Sequence, residues 1–193
     1  AYDIAVIAKH LLQDFPEVTK YTSKPTALFS NTQIENPNLM LEGMPNYRSG
    51  VDGLRVSNST KGGITFAAST TQNGIHMITV VLGVEAVDGD PYARFVATSS
   101  LMNYVVRTFV SSIVVKEGDP YGKSKATVMD GKSETVLAVA KKDFYIVEKQ
   151  GSQAEPKIQF KSNQESFRAP VKSGTSLGKL HYTDPDKIGR GYL

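Results

Sequence analysis

The first fifteen residues carry apolar side chains at helical spacing, with polar residues between them. This pattern predicts a helix from Tyr2 to Phe15, and Pro16 ends it because proline lacks the backbone N–H that the next turn requires. His10 falls among the polar positions of the helix. The apolar face is made of Ile4, Ile7, Ala8, Leu11 and Leu12.

Residues 17–49 show no sustained period and contain several prolines and asparagines. Two short apolar pieces, 27–29 and 39–41, are expected to hold this stretch against a core. An irregular segment of this length inside a domain is usually functional or packed over a site.

Three strands are predicted next, at Val51–Ser57, Ile64–Thr71 and His76–Leu82. The second and third are joined by Gln72-Asn73-Gly74, which is a strong hairpin signal because Asn-Gly tolerates the positive φ of a tight turn. The near-continuous apolar third strand is typical of one that is covered on both faces. The pattern therefore indicates three adjacent antiparallel strands.

A second long helix follows the strands. Asp90 is expected to cap its start and Pro91 to lie in its first turn, and its apolar positions continue to about Phe109. A helix, an irregular segment, three strands and a helix make one α+β unit.

After Phe109, short apolar runs alternate with turn residues, which predicts an all-β module built as a small sandwich, with the boundary near 109–112. The fold class is thus α+β, an antiparallel sheet with flanking helices followed by an all-β sandwich domain. The predicted strands lie at 112–115, 126–129, 136–139, 144–147, 158–160, 169–171 and 177–182.

The composition is that of an ordinary globular protein, with 193 residues, 40% hydrophobic and 21% charged. The net charge of +3 permits attraction to a polyanion, but no basic run with interleaved aromatic residues favours nucleic acid. The absence of cysteine excludes disulfides, thiolate metal sites and a cysteine nucleophile. Three scattered histidines predict no metal site and no cofactor, and neither a membrane span nor a signal peptide is visible in the sequence.

Candidate chemistry lies on the first predicted strand. Because side chains alternate along a strand, Arg55 and Ser57 share one face and Val56 takes the other. A cation beside a hydroxyl, on a strand followed by a glycine-containing loop, is able to receive a carboxylate. The alternative is an ordinary solvated strand end.

Several segments together carry a resemblance to a known family. They are Val51-Asp52-Gly53-Leu54, Asp14 to Ser23, Asn36 to Leu41, Asp90 to Phe95 and the closing Gly189-Arg190-Gly191-Tyr192. With them, the chain resembles the C-terminal half of the low-molecular-mass penicillin-binding proteins, which are serine-type D-alanyl-D-alanine carboxypeptidases, and most of all the streptococcal enzymes. The resemblance implies two parts: residues 1–109 as the C-terminal portion of the carboxypeptidase domain and 110–193 as the β-sandwich domain.

The family's machinery has three motifs. Ser-x-x-Lys supplies the nucleophile and its base, Ser-x-Asn assists proton transfer, and Lys-Thr-Gly holds the terminal carboxylate of the substrate. The third belongs after Asp52-Gly53-Leu54, where this chain has Arg55, Val56 and Ser57. Arginine is no substitute for a compact ammonium, Val56 lacks the hydroxyl, and Ser57 adds a side chain where close approach is expected.

The resemblance also implies a role for Arg94, which matches an arginine that helps to hold the substrate carboxylate; the alternative is a surface arginine. Asn58 lines the loop after the strand and is a candidate contact or a turn former. The first two motifs are absent, except for a formal Ser-x-x-Lys at Ser176–Lys179 at a turn in the β module. The nucleophile is therefore expected in a segment that precedes Ala1, and this chain alone is expected to be inactive.

The sequence leaves three readings open. The first is an exported D,D-carboxypeptidase that trims peptidoglycan stem peptides and is acylated by β-lactams. The second is a catalytically degenerate homologue that binds peptidoglycan or acts as a scaffold, and the third is a plain structural β-domain. The implied partners are the stem peptide, the missing N-terminal catalytic segment and a membrane surface reached through an amphipathic helix after Leu193, at the outer face of a Gram-positive cytoplasmic membrane.

Overall fold

The computed structural model describes residues 1–59, 61–85, 89–153 and 157–183. The chain divides into two compact units, one formed by Ala1–Val110 and one that begins at Ser111. The closing segment 189–192, part of the resemblance, lies outside the described residues. The predicted fold class is confirmed: the chain is mixed α+β, with a C-terminal part built from strands.

The first unit opens with helix α1 (Tyr2–Asp14), a 3-10 turn (Pro16–Val18) and the short helix α2 (Thr19–Thr22). Helix α1 ends where Pro16 requires it, but only part of its predicted apolar face is buried. Ala8 and Leu12 are buried against the unit, whereas Ile4, Ile7 and Leu11 are 39%, 68% and 37% exposed. His10 is exposed and lies 3.9 Å from the carboxylate of Asp14.

The irregular stretch, residues 17–49, contains a hairpin that the sequence pattern did not predict. Strands β1 (Thr26–Phe29) and β2 (Thr32–Glu35) pair antiparallel through a turn at Ser30 and Asn31, both of which have positive φ. Every residue of both strands is exposed, so the alternation that marks a half-buried strand is missing.

The predicted three-stranded sheet is confirmed. Its strands are β3 (Val51–Ser59), β4 (Gly63–Gln72) and β5 (Ile75–Val84), and they are ordered β3–β4–β5. The turn between β4 and β5 has φ of 52° at Asn73 and 74° at Gly74, as a two-residue hairpin of this type requires. Within the described residues β3 has one sheet neighbour, which makes it an edge strand.

Helix α3 (Ala93–Thr108) packs on β4 and β5, and α1 also contacts these two strands. The ring of Phe66 on β4 meets that of Phe95 on α3 edge to face, with centroids 5.4 Å apart. The helix begins later than predicted. Asp90 accepts a hydrogen bond from the Tyr92 backbone N–H at 2.8 Å, so its side chain closes a turn before the helix instead of capping it.

The second unit consists of short strands, which are β6 (Phe109–Val115), β7 (Pro120–Met129), β8 (Thr135–Val139), β9 (Phe144–Lys149), β10 (Lys157–Ser162), β11 (Phe167–Arg168) and β12 (Gly178–Thr183). They form small sheets: β7 lies between β8 and β11, β6 pairs with β9, and β10 pairs with β12.

The predicted strand at 169–171 is wrong. The extended residues are Phe167 and Arg168, and only the Ala169 N–H continues toward β7, by donating to the Met129 carbonyl at 3.0 Å. Pro170 has no N–H with which to extend the pairing.

Candidate functional site

The edge strand β3 presents the candidate triplet as alternation predicts. Arg55 and Ser57 are exposed, and Val56 between them is half-buried. Val56 pairs in register with Phe66 on β4. Arg55 forms no hydrogen bond or ion pair with any of the residues that the structure describes, so its guanidinium is free to meet a ligand.

Arg94 lies at the start of α3 and is only 5% exposed. Its Nη1 donates to the backbone carbonyl oxygens of Ser57 at 3.1 Å and Thr65 at 3.2 Å, and its Nη2 donates to Asn58 Oδ1. The guanidinium carbon also lies 5.9 Å from the centre of the Phe95 ring. Arg94 therefore ties α3 to the end of β3 and to the neighbouring strand.

The charge of Arg94 is balanced by dipoles and not by an acid. All its acceptors are neutral oxygens, and no carboxylate among the described residues forms an ion pair with it. Burial lowers the pKa of the Arg94 guanidinium because desolvation disfavours the charged form. Its Nε–H is buried and has no hydrogen-bond partner in the described part of the chain.

A pocket of about 270 Å³ lies beside this cation. Four of the five predicted site residues line it: Val56, Ser57, Asn58 and Arg94. Its other walls are apolar and comprise Pro37, Leu39, Pro91 and Phe95. Arg55 does not line this pocket, so the two arginines are placed differently around β3.

Sequence reasoning missed two walls of the pocket, Pro37 and Leu39. They belong to the irregular stretch, where Asn36 accepts from the Asn38 backbone N–H at 2.9 Å and Asn38 from that of Met40 at 3.0 Å. These side-chain bonds shape the loop locally. The sequence features that could have pointed to this loop as part of a site are the length of the irregular stretch and its closely spaced asparagines.

Thr22 is a further residue whose role the sequence did not reveal. Its hydroxyl donates to the Asp52 carbonyl at 2.7 Å, and a Cβ built on Gly53 would lie 2.6 Å from its Oγ1. Gly53 is therefore required for the close approach of α2 to the beginning of β3.

The formal Ser-x-x-Lys at Ser176–Lys179 has no catalytic setting. Ser176 is exposed in the loop before β12, where its Oγ accepts from Asn163 Nδ2 at 3.2 Å. Lys179 is an exposed strand residue. Among the described residues no group of three or more His, Asp or Glu side chains is arranged to hold a metal ion.

Family models match both halves of the chain. A model described as D-alanyl-D-alanine carboxypeptidase matches residues 1–86, and one described as penicillin-binding protein 5, C-terminal domain, matches residues 109–191. The curated D-alanyl-D-alanine carboxypeptidase DacA of Haemophilus influenzae is 27% identical over 183 residues, which is 94% of this chain and 44% of that protein.

Solved structures are similar over the whole chain. The crystal structure of a peptidoglycan synthesis regulatory factor (PBP3) from Streptococcus pneumoniae is 44% identical, with a TM-score of 0.94 over 100% of this chain and 52% of that one. Penicillin-binding protein 5 from Haemophilus influenzae is 26% identical, with a TM-score of 0.63 over 96% of this chain and 52% of that one. The chain thus spans about half the length of the relatives it matches.

Proposed function

Since the chain belongs to the D-alanyl-D-alanine carboxypeptidase family of low-molecular-mass penicillin-binding proteins, we propose that it forms the C-terminal half of a serine-type carboxypeptidase. In this proposal the enzyme trims peptidoglycan stem peptides during cell-wall synthesis and so influences cell shape. Residues 1–109 supply the substrate-carboxylate strand of the catalytic domain, and residues 110–193 form its β-domain.

One observation carries the proposal: a buried arginine, Arg94, lines a pocket at an edge strand without a carboxylate partner in the described residues. Burial of a charge is costly unless the charge is paired. An anionic ligand in this pocket would pair with the Arg94 charge, which no carboxylate of the described residues does. The free edge of β3 suits an extended peptide, which adds to a sheet by backbone hydrogen bonds.

Each site residue has a role in this proposal. Arg55, exposed and unpaired among the described residues, meets the terminal carboxylate first. Arg94 fixes the end of β3 and lends its positive charge to the pocket that receives this anion. Val56 lacks the hydroxyl of the threonine in Lys-Thr-Gly, and Ser57 supplies a hydroxyl at the next position. Asn58 holds Arg94 in place by accepting a hydrogen bond from it.

The nucleophile comes from a companion segment. Apolar side chains stand exposed on α1, at Ile7, and on the hairpin, at Leu28 and Phe29, which are 68%, 79% and 68% exposed. Exposed apolar side chains of this size suit a protein contact, and a covering segment of the same enzyme agrees with the half-length match.

The chemistry is acyl transfer. The serine of the companion segment attacks the carbonyl of the penultimate D-Ala, the terminal D-Ala leaves as an amine, and water then hydrolyses the acyl-enzyme. The backbone of β3 near Ser57 aligns the peptide and supplies an oxyanion donor. β-Lactams acylate the same serine.

The proposed location is the outer face of a Gram-positive cytoplasmic membrane, with an amphipathic helix as the anchor. In the described part of the chain, no helix combines the length and apolar character that crossing a bilayer requires.

The test uses an intact protein that contains this chain together with its companion segment. Release of D-Ala from a pentapeptide and covalent labelling by a fluorescent penicillin are expected. The triple variant Arg55→Lys, Val56→Thr, Ser57→Gly is measured beside it. Loss of activity in the triple variant indicates a site tuned to its present residues, and absence of both reactions in the wild-type protein contradicts the proposal.

A second candidate is a catalytically degenerate homologue that binds peptidoglycan or serves as a scaffold. The departure of Arg55, Val56 and Ser57 from Lys-Thr-Gly at all three positions favours it. It predicts retention on purified peptidoglycan without D-Ala release, and a large gain of activity in the triple variant.

A further inference from the structure

The second unit carries a charge surplus that the first lacks. Residues 111–183 contain 12 Lys and Arg against 8 Asp and Glu, whereas residues 1–110 contain 8 against 9. Although the unit holds both signs, its only ion pair among the described residues joins Arg168 to Asp130, at 2.9 Å. Its lysines therefore form no ion pair in the part of the chain that the structure describes.

A groove of about 440 Å³ in this unit is lined by two of the lysines. It lies along β7, where Lys123 and Lys125 are exposed, and against β10, where Gln159 lines it. The β7–β8 pairing is interrupted here, because the register advances from Pro120 to Lys125 on β7 while β8 moves only from Val139 to Leu137. The bulged segment of β7 forms the wall of the groove.

The basic surface continues across the β10–β12 sheet. Lys157 and Lys161 share the exposed face of β10 with Gln159, and Lys179 lies on β12 directly opposite Lys161. Like charges that face each other across two strands destabilise the pair. No acidic residue occurs on either strand to relieve this pair.

The distance between the lysines along β10 favours an extended ligand. Lys157 and Lys161 are four residues apart, which is about 13 Å at roughly 3.3 Å per strand residue. A single small anion cannot span that distance, whereas a chain with repeated anionic groups contacts the groove and the sheet face together.

The same face argues against a membrane. The apolar side chains of β10 and β12, Ile158, Phe160, Leu180 and Tyr182, alternate with the exposed residues and are half-buried. The exposed sheet face therefore offers no apolar anchor for a bilayer.

We propose that Lys123, Lys125, Lys157, Lys161 and Lys179, which we call the basic track, bind a linear anionic polymer that carries phosphodiester or carboxylate groups. The site is distinct from the β3 pocket and does not depend on the proposed catalytic role. It gives the β-domain a ligand-binding function of its own.

The experiment measures binding of the 193-residue chain to short-chain inorganic polyphosphate and to poly-L-glutamate by isothermal titration calorimetry at several salt concentrations. Binding that weakens steeply with salt is expected for at least one probe. The probe that binds more tightly identifies phosphate or carboxylate as the preferred group. Lys123→Gln with Lys125→Gln is expected to weaken binding about 25-fold, at about fivefold per lysine as at other anionic surfaces.

Lys141→Gln with Lys142→Gln is the matched control, because this double variant removes the same two positive charges. Both lysines are exposed and lie in the loop between β8 and β9, beside Asp143. This variant is expected to bind within about twofold of wild type, and thermal melting checks that both variants fold. Equal losses in the two double variants, no binding of either polymer, or binding only to phosphatidylglycerol vesicles would each overturn the proposal.

Discussion

The Arg94 guanidinium donates a 3.1 Å hydrogen bond to the backbone carbonyl of Ser57, 37 residues away in sequence. This bond joins the first turn of α3 to the end of the edge strand β3. The residue that the family resemblance assigns to the substrate carboxylate is thus also a structural support of the strand that carries the other candidates.

Arg94→Gln is expected to lower the free energy of unfolding by about 2–4 kcal/mol, because hydrogen bonds from a buried charged group to two part-buried carbonyls are lost together. Urea unfolding monitored by circular dichroism measures the change. Arg107→Gln, an exposed change at the other end of the same helix, serves as the control and is expected to cost less than about 1 kcal/mol. Equal losses in the two variants would show that Arg94 does not support β3.

Gly53→Ala is expected to destabilise the first unit by about 1–3 kcal/mol, as overpacking of a close contact does. The added Cβ would lie 2.6 Å from Thr22 Oγ1 and 3.0 Å from Thr22 Cβ. Thr22→Gly removes both atoms, so the double variant is expected to be more stable than the sum of the single changes predicts. A double-mutant cycle in urea measures this coupling, and strictly additive losses would contradict the contact.

Asn103→Asp is expected to stabilise the first unit by about 0.3–1 kcal/mol at low salt, since a charge-assisted hydrogen bond replaces a neutral one at a partly exposed site. Arg48 Nη1 donates to Asn103 Oδ1 at 2.8 Å, and its Nη2 donates to Gln72 Oε1 at 2.7 Å. Thermal melting at low and high salt measures the gain, which salt should reduce. In an Arg48→Gln background the gain is expected to vanish; a gain that persists there has another origin.

Tyr145 is expected to titrate at a higher pH than an unperturbed tyrosine. Its hydroxyl donates to Asp143 Oδ2 at 3.1 Å, and this hydrogen bond together with the negative charge of Asp143 raises the pKa of the phenol. A raised pKa in the folded state means that the stabilising contribution is present below the unfolded pKa and is lost as the pH rises through the folded one.

NMR of ¹³C-labelled tyrosine measures this titration, with Tyr145→Phe to assign the signal. Asp143→Asn removes the charge and is expected to bring the pKa of Tyr145 back toward its usual range. An unchanged midpoint in Asp143→Asn would assign the shift to another cause.

Local patterns predicted much of the fold because they report local physics. The positive φ that Asn73 and Gly74 tolerate determines the hairpin between β4 and β5, and proline at position 16 ends α1. The hairpin of β1 and β2 escaped prediction because none of its residues is buried, and a strand without a buried face leaves no alternation to detect.

The candidate site was predicted only in part. Alternation along β3 placed Arg55 and Ser57 on one face, and the family resemblance indicated Arg94. The pocket walls Pro37 and Leu39 carried no periodic signal, because the fold of their loop depends on asparagine side chains that bond the backbone. The assigned roles of these residues, like the division at residue 109, stay predictions.

By itself, the sequence determined the two long helices, the three-stranded sheet and the alternation along the β3 triplet, and its motifs indicated the family, because spacing, turn chemistry and motifs are local features of the chain. Only the tertiary structure decided that Arg94 is buried, that Ile4, Ile7 and Leu11 remain exposed, and that β7 and β10 share a basic groove. Each of these depends on residues far apart in sequence, and their proximity follows from packing, which no local pattern encodes.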